Sequence, residues 1–183
     1  EREDAEASMG RTDYPEETNV TSELILHVEA LRTLFLSDVP RLVPLQPSDV
    51  HKIRYTVGDA LAEGFGVGTQ YPDLEFEGRD GLWLPEFAEG GSNLREGQNI
   101  ANHILFDIRS GRHDGCELWM VTDNAVWSYV WTKGMSTARH LFHLVLEVKV
   151  AAREHEVYLR SLHISGSRMI ATGMDDWSRG NYD

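Results

Sequence analysis

The alternation of apolar and polar residues from Ile53 onward is the two-residue period of a β-strand. Ile53, Tyr55 and Val57 fall on one face, and Asp59 continues the same row. Asp59 alone is compatible with a solvated acid before a hairpin, but an acid that extends an apolar row also fits a binding site. Further strands are predicted, with a turn over Glu77–Gly81: Phe65–Gln70, Leu82–Phe87, Leu118–Val121 and Val157–Ile164. The first three strands, joined by short turns, predict an antiparallel meander.

Between these strands the apolar spacing changes to that of helices. One helix is predicted from a Ser22 cap to about Leu36, ahead of three helices in the second half of the chain. Those three begin at an Asn93–Glu96 capping box, at a cap within Thr122-Asp123-Asn124 and at Ser136, and end near Ser110-Gly111, Gly134 and Ala152. From Ile53 onward the order is β-β-β-α-β-α-α-β. This order predicts an α/β domain with a mixed sheet flanked by helices.

Charge is distributed unevenly along the 183 residues, whose net charge is −13. Residues 1–91 carry 7 basic and 19 acidic side chains, and residues 92–183 carry 10 and 11. We predict a disordered acidic tail at 1–20, a helix with a proline-containing connector at 21–52, and one domain at 53–183. The single cysteine excludes a disulfide framework and favours a reducing, intracellular compartment rather than secretion. No stretch predicts a membrane span.

Four acidic residues stand at comparable ends of predicted elements: Asp59, Glu96, Asp123 and Asp175. If the first and fourth strands are neighbours, Asp59 and Asp123 meet at one end of the sheet. Clustered carboxylates repel one another, and a divalent cation relieves that repulsion. Hard oxygen ligands suit Mg²⁺ or Mn²⁺, and two such ions about 4 Å apart suit phosphodiester hydrolysis. Gly64, Gly66 and Gly68 are interpreted as keeping side chains away from whatever approaches Asp59.

Short motifs in a fixed order carry a resemblance to a known family. They are Val57-Gly58-Asp59-Ala60 with Gly64-Phe65-Gly66, Ser92-Asn93-Leu94-Arg95-Glu96, Val121-Thr122-Asp123-Asn124 with Lys133-Gly134, Leu162-His163-Ile164-Ser165-Gly166, and Gly173-Met174-Asp175-Asp176-Trp177-Ser178-Arg179-Gly180. Over residues 53–180 the chain resembles the ribonuclease H (RNase HI-like) domain of retroelement reverse transcriptases, most closely the DIRS-like retrotransposon type. It departs from the family at Leu61, where a small polar residue is usual, and at Trp177, where leucine is usual.

The resemblance implies a ribonuclease H-like fold, with a five-stranded mixed sheet of order 3-2-1-4-5. It implies that Asp59, Glu96, Asp123 and Asp175 form a catalytic tetrad holding two Mg²⁺ ions, which Mn²⁺ can replace. Asp176 stays open as an alternative to Asp175. The implied reaction is hydrolysis of the RNA strand of an RNA–DNA hybrid, recognised by its shape and 2′-hydroxyls. The resemblance also implies that Gly64, Gly66 and Gly68 leave room for the nucleic-acid backbone. A reverse transcriptase domain in the same polyprotein is the implied partner, in the cytoplasm or nucleus.

Four further side chains are candidates for substrate contact: Asn124, His163, Arg168 and Arg179. For His163 the alternative is a structural histidine on the last strand, and for the arginines it is simple solvation. Trp127 and Trp131 are one helical turn apart and are predicted to pack in the core. Two other functions stay open. The fold can serve as a catalytically silent connection or binding module, or as another nuclease or integrase of the same fold.

Overall fold

The computed structural model describes residues 20–36, 52–85, 89–136 and 138–180. The chain divides into two units, one ending at Phe35 and one beginning at Leu36. The first holds helix α1 (Ser22–Phe35), whose start is capped by Thr21 instead of the predicted Ser22. The Thr21 Oγ1 atom accepts from the Leu24 N–H at 3.1 Å. The predicted tail and the proline-containing connector lie almost wholly outside the described residues.

The second unit contains a five-stranded mixed sheet of order β3-β2-β1-β4-β5. Its strands are β1 (Ile53–Ala60), β2 (Gly64–Gln70), β3 (Phe76–Leu82), β4 (Glu117–Thr122) and β5 (Tyr158–His163). β1 is central, antiparallel to β2 and parallel to β4, with Val57 beside both Gly68 and Val121. The parallel pairs β1–β4 and β4–β5 need crossover connections, which the helices provide. The predicted fold class and strand order are confirmed.

Among the residues that the structure describes, five helices accompany the sheet: α2 (Ser92–Arg109), α3 (Ala125–Lys133), α4 (Arg139–Glu154), α5 (Gly166–Ala171) and α6 (Met174–Ser178). Asn124 caps α3 and Gly134 ends it with φ of 71°, both as predicted. Of the helices that the structure describes, none combines the length and apolar character needed to cross a membrane.

Two hydrophobic clusters hold the second unit together. The larger joins α2, α3 and α4 to β4, with Trp127 and Trp131 at most 4% exposed, which confirms their predicted core role. The smaller consists of Val57, Val121, Met169 and Met174, contributed by β1, β4, α5 and α6. The short C-terminal helices are thereby fixed beside the strand that carries Asp59.

The position of the third strand corrects the prediction from sequence. Glu77–Gly81, predicted as a turn, lies within β3, and Leu82 ends that strand instead of starting it. The chain reverses earlier, where Tyr71 N donates to Glu75 O at 2.9 Å and Leu74 has a φ of 69°. The glycines that suggested a turn lie under aromatic rings: a Cβ at Gly78 would collide with the Trp177 ring, and Gly81 faces Phe65.

The glycines of β2 also have a different role from the one predicted. A Cβ on Gly66 would lie 2.7 Å from the Trp177 Cβ and 3.0 Å from the Ser178 N. Gly64 faces the Ser178 carbonyl oxygen, and Gly68 faces the Phe76 ring. The interpretation of these positions as room for nucleic acid is therefore wrong, because α6 and Phe76 fill that space. The glycines instead allow α6 to pack directly on the sheet.

This packing predicts the effect of Gly66→Ala. The new methyl group meets backbone atoms of α6, which cannot rotate away, so we expect a loss of about 2–3 kcal/mol in the free energy of unfolding. Gly91→Ala is the control, because a Cβ there meets nothing within 4 Å. Urea unfolding of both variants measures the difference. Equal stability of the two variants would contradict the close contact between β2 and α6.

A buried polar network lies near the C-terminal end of α2. Asp107 is fully buried, and its Oδ1 accepts from Arg79 Nη2 at 2.8 Å. His103 Nε2 lies 3.3 Å from Asp107 Oδ2 and 2.9 Å from Thr69 Oγ1, and His113 Nε2 lies 3.8 Å from Asp107 Oδ2. Burial lowers the pKa of each of the two histidines to about 4, so both are neutral at pH 7.

Candidate active site

Strand pairing brings Asp59 and Asp123 to the same end of the sheet. β1 and β4 run parallel with Val57 opposite Val121, and each acid follows two residues later. Asp59 is the penultimate residue of β1, and Asp123 comes directly after β4. The arrangement follows the reasoning from sequence, in which neighbouring first and fourth strands place these two carboxylates together.

Asp59 is held by contacts from two helices. The Asn99 side-chain amide of α2 donates to the carbonyl oxygens of Asp59 and Gly66, both at 2.9 Å. The Asp59 Oδ1 atom accepts from the Ala60 N–H at 2.8 Å, and Ser178 Oγ of α6 lies 3.3 Å from Oδ2. Burial is the main reason why the pKa of Asp59 is raised, and the charges of Asp123 and Asp175 add to it. Neither Asn99 nor Ser178 was singled out as a functional residue from the sequence.

Glu96 lies two residues further into its helix than predicted. α2 begins at Ser92 with Gly91 as its N-cap and no side-chain cap, so the predicted Asn93–Glu96 capping box is wrong. The Asn93 Oδ1 atom instead accepts from the Asn124 Nδ2 at 2.8 Å. The Glu96 Oε2 atom is buried and has no hydrogen-bond partner among the described residues.

The electrostatic surroundings of Glu96 identify it as part of the acidic cluster. Burial, followed by the charges of Asp123 and Asp59, raises the pKa of Glu96 to about 7, although a hydrogen bond from Asn124 acts in the opposite direction. Burial is the largest cause, and the neighbouring Asp123 and Asp59 carboxylates add like-charge repulsion to it. Glu96, Asp59 and Asp123 thus form one electrostatically coupled group.

Two residues predicted to contact the substrate, Asn124 and His163, instead form hydrogen bonds that fix the segment after β4. Asn124 accepts from the Trp127 N–H at 2.9 Å through its Oδ1, so its side chain is used as a helix cap. His163 is exposed at the end of β5, and its Nε2 lies 3.1 Å from the Asp123 carbonyl oxygen. Gly166, at the start of α5, lies close to Asp123, since a Cβ there would be 3.3 Å from Oδ2.

The fourth acid lies on α6. Asp175 is half-buried, whereas Asp176 is exposed, and only Asp175 contributes to the raised pKa of Asp59. Arg179 forms two bonds to Asp175, from Nε to Oδ2 at 3.1 Å and from Nη2 to Oδ1 at 3.0 Å. Arg168 is exposed on α5. These positions favour Asp175 over Asp176 as the residue that faces the cluster.

The donor set fits a hard divalent cation in its chemistry. Four carboxylates supply only oxygen ligands, and the unpartnered Glu96 Oε2 and the raised pKa values of Asp59 and Glu96 are features that a cation would relieve. Within the described ranges, no three acidic, histidine or cysteine side chains lie close enough to hold one ion as they stand. Binding therefore requires these side chains to move towards one another.

A cavity of about 370 Å³ lies beside the acidic cluster. Ser178 and Arg179, which contact Asp59 and Asp175, form part of its wall. The remaining wall is largely apolar or backbone, with Leu61, Leu82 and Trp177 as its larger side chains. The position, next to the acids and open to Arg179, suits part of an extended substrate.

Comparison with solved structures shows which known fold this domain has. No protein-family model and no curated protein matches the sequence. Among solved structures, ribonuclease H1 of Halobacterium salinarum NRC-1 matches with 10% identity over 69% of this chain and 93% of its own, at a TM-score of 0.53. LC11-RNase H1 in complex with an RNA/DNA hybrid matches with 14% identity over 70% of this chain and 94% of its own, at a TM-score of 0.54. The N-terminal ribonuclease H domain of rv2228c from Mycobacterium tuberculosis matches with 12% identity over 70% of this chain and 90% of its own, at a TM-score of 0.50.

These identities are low, and what the matches establish is the fold. The strand order, the parallel β1–β4 pair and the flanking helices define a ribonuclease H-like domain. The fold class predicted from the sequence is thereby confirmed a second time, independently of the motifs.

Proposed function

We propose that this domain is a ribonuclease H, an endonuclease that hydrolyses the RNA strand of RNA–DNA hybrids with divalent metal ions. The observation that carries the proposal is the coupled acidic cluster at one end of a ribonuclease H-like sheet, to which Asp59, Glu96 and Asp123 belong, with Asp175 beside it. The structure of LC11-RNase H1 with a bound RNA/DNA hybrid supports the choice of substrate by analogy of fold.

The same four carboxylates would hold two Mg²⁺ ions, or Mn²⁺ in their place. When bound, such ions supply a nucleophilic water and stabilise the leaving oxygen of the phosphodiester. The chain's own residues prepare the site: Asn99 fixes the backbone at Asp59, and His163 fixes it at Asp123. Glu96 is a ligand only as a carboxylate, so its raised pKa makes cation binding stronger as pH rises through about 7.

Three of the four candidate substrate contacts have exposed side chains. His163, Arg168 and Arg179 have exposed side chains, whereas the Asn124 side chain is occupied as a helix cap and reaches Asn93. We therefore propose the three exposed residues as contacts with the hybrid, and Asn124 as the group that orients Glu96. The net charge of −13 opposes binding of nucleic acid, so a reverse transcriptase domain in the same polyprotein would supply the attraction for the hybrid.

The proposed setting is a retroelement reverse transcriptase of the DIRS-like type, acting inside the cell, in the cytoplasm or nucleus. Its support is the ordered set of motifs from Val57 to Gly180. A second function has one observation in its favour. Because no three described side chains stand ready to hold an ion, the domain could instead be a catalytically silent connection or binding module.

Cleavage of a defined hybrid separates these functions. The RNA is labelled at its 5′ end and presented as an RNA–DNA hybrid, as single-stranded RNA and as an RNA duplex, with Mg²⁺ or with a chelator. The proposal predicts RNA cleavage in the hybrid alone, and only with Mg²⁺. Hybrid binding without cleavage at excess protein would favour the silent module, and cleavage of a labelled DNA duplex would favour another nuclease of the same fold.

A further inference from the structure

The Arg179–Asp175 pair joins the acidic cluster to the adjacent cavity. Its two bonds pair both carboxylate oxygens of Asp175 with two nitrogens of one guanidinium. This bidentate arrangement neutralises the carboxylate and fixes its orientation. The two residues are one helical turn apart, and the side chains are 51% and 24% exposed, so the pair can open without disturbing the core.

A divalent cation and this guanidinium compete for the same oxygens. The guanidinium occupies one lone pair on each Asp175 oxygen and places its positive charge beside both, so it would repel a metal ion at this carboxylate in the arrangement observed. Exposed ion pairs contribute little stability, whereas a divalent ion shared by several carboxylates binds each of them more strongly. A bound cation would therefore displace the guanidinium from at least one oxygen of Asp175.

The displaced Arg179 side chain can enter the adjacent cavity, which it already lines. Arg179 lines the cavity that also borders Leu61, Gly64 and Trp177, and Ser178 at its wall contacts Asp59. A guanidinium released into this space lies beside the acids and presents its donors to a phosphate. The cavity wall has one negative side chain, Glu63, and one positive side chain, Arg179.

We infer that Arg179 is an exchangeable counter-cation. It neutralises Asp175 in the metal-free protein, yields Asp175 to the divalent ion, and then contacts a phosphate of the hybrid in the adjacent cavity. The inference rests on the proposed function and adds to it an order of events and a residue that links metal binding to substrate binding. Arg179 acts on Asp175 and on the substrate phosphate, and it does not act on the scissile bond itself.

Metal affinity tests the first half of the inference without measuring catalysis. Mn²⁺ is titrated calorimetrically into the wild type, Arg179→Gln and Arg109→Gln. Arg109 is the matched control, because its Nη2 pairs with Glu147 Oε1 at 2.7 Å on the surface and its loss changes the net charge equally. We expect Arg179→Gln to bind Mn²⁺ about three- to tenfold more tightly, and the control to change less than about twofold.

The effect must depend on Asp175 if the competition is real. In an Asp175→Asn background, Arg179→Gln is expected to change the Mn²⁺ affinity less than about twofold. Binding that is unchanged or weaker in the single variant would overturn the inference and leave the proposed function intact. Absence of Mn²⁺ binding in the wild type and in every variant would overturn both.

Steady-state kinetics test the second half. At saturating Mg²⁺, Arg179→Gln should raise KM for the hybrid about three- to tenfold with kcat nearly unchanged, and Arg179→Lys should recover part of the loss. A merely structural role would lower metal affinity and hybrid affinity together. The predicted changes have opposite signs, tighter metal and weaker hybrid, and changes of the same sign would reject the exchange.

Discussion

Asp123→Asn will lower kcat for hybrid cleavage by about 10³-fold, because an amide cannot supply the negative charge that a metal ion requires. Asp123 stands directly after β4, and its charge contributes to the raised pKa values of both Asp59 and Glu96. It is therefore the residue that couples the other acids. Asparagine has the same shape, and we expect the free energy of unfolding to change by no more than about 1 kcal/mol. Single-turnover cleavage of the labelled hybrid and urea unfolding measure the two quantities.

Two substitutions on α6 serve as a matched pair for this experiment. Asp175→Asn should lower kcat at least about 100-fold, whereas Asp176→Asn, one residue away and exposed, should stay within about threefold of wild type. Equal activity of Asp123→Asn and wild type would show that the acidic cluster is not the catalytic centre. A larger loss for Asp176→Asn than for Asp175→Asn would reverse the assignment of the fourth acid.

The sheet could be predicted because its signals are local. The continuous apolar run at Leu118–Val121 is typical of a strand covered on both faces, and it became β4, the neighbour of β1. The acids at Asp59 and Asp123 then follow from strand pairing alone. The third strand was predicted at the wrong residues because its glycines are explained by contacts with residues distant in the sequence. Gly78 and Gly81 indicate a turn when read locally, but they are glycines because Trp177 and Phe65 cover them in the fold.

The parts of the site that escaped prediction are contacts between distant residues. Asn99 reaches the Asp59 carbonyl across 40 positions, and Ser178 reaches the Asp59 carboxylate across 119. Nothing in the neighbouring sequence distinguishes such an asparagine from a solvated one, although a polar residue beside Ile100 on an apolar helix face is a usable signal. The capping box failed because Asn93 pairs with Asn124, 31 residues later, instead of with its own helix.

Glu96→Gln will stabilise the protein at pH 8. Burial and two neighbouring acids raise the pKa of Glu96 from 4.5 to about 7, so at pH 8 the folded protein bears a charge that its surroundings disfavour. The full shift corresponds to about 3 kcal/mol, and partial solvent exposure reduces the expected gain to about 1–3 kcal/mol. The neutral amide removes this cost, so we expect the variant to gain stability. The control is Glu147→Gln on the surface, expected to change stability by about 0.5 kcal/mol or less.

The pH dependence of the free energy of unfolding determines where Glu96→Gln is more stable than wild type. Between pH 4.5 and 7 the folded state binds the Glu96 proton more tightly than the unfolded state does, so wild-type stability from this group falls as pH rises. The buried His103 and His113 act oppositely: their pKa values fall from 6.5 to about 4 on folding, so stability falls as pH drops through that interval. In wild type the Glu96 effect partly offsets that of the two histidines, and in Glu96→Gln this offset is absent; the raised pKa of Asp59 contributes equally to both proteins. Urea unfolding from pH 4.5 to 8 should therefore show a steeper loss on acidification in Glu96→Gln, with its advantage at pH 8 vanishing near pH 4.5. A gap between the proteins that is constant with pH would mean that Glu96 is not the buried, uncompensated acid of this site.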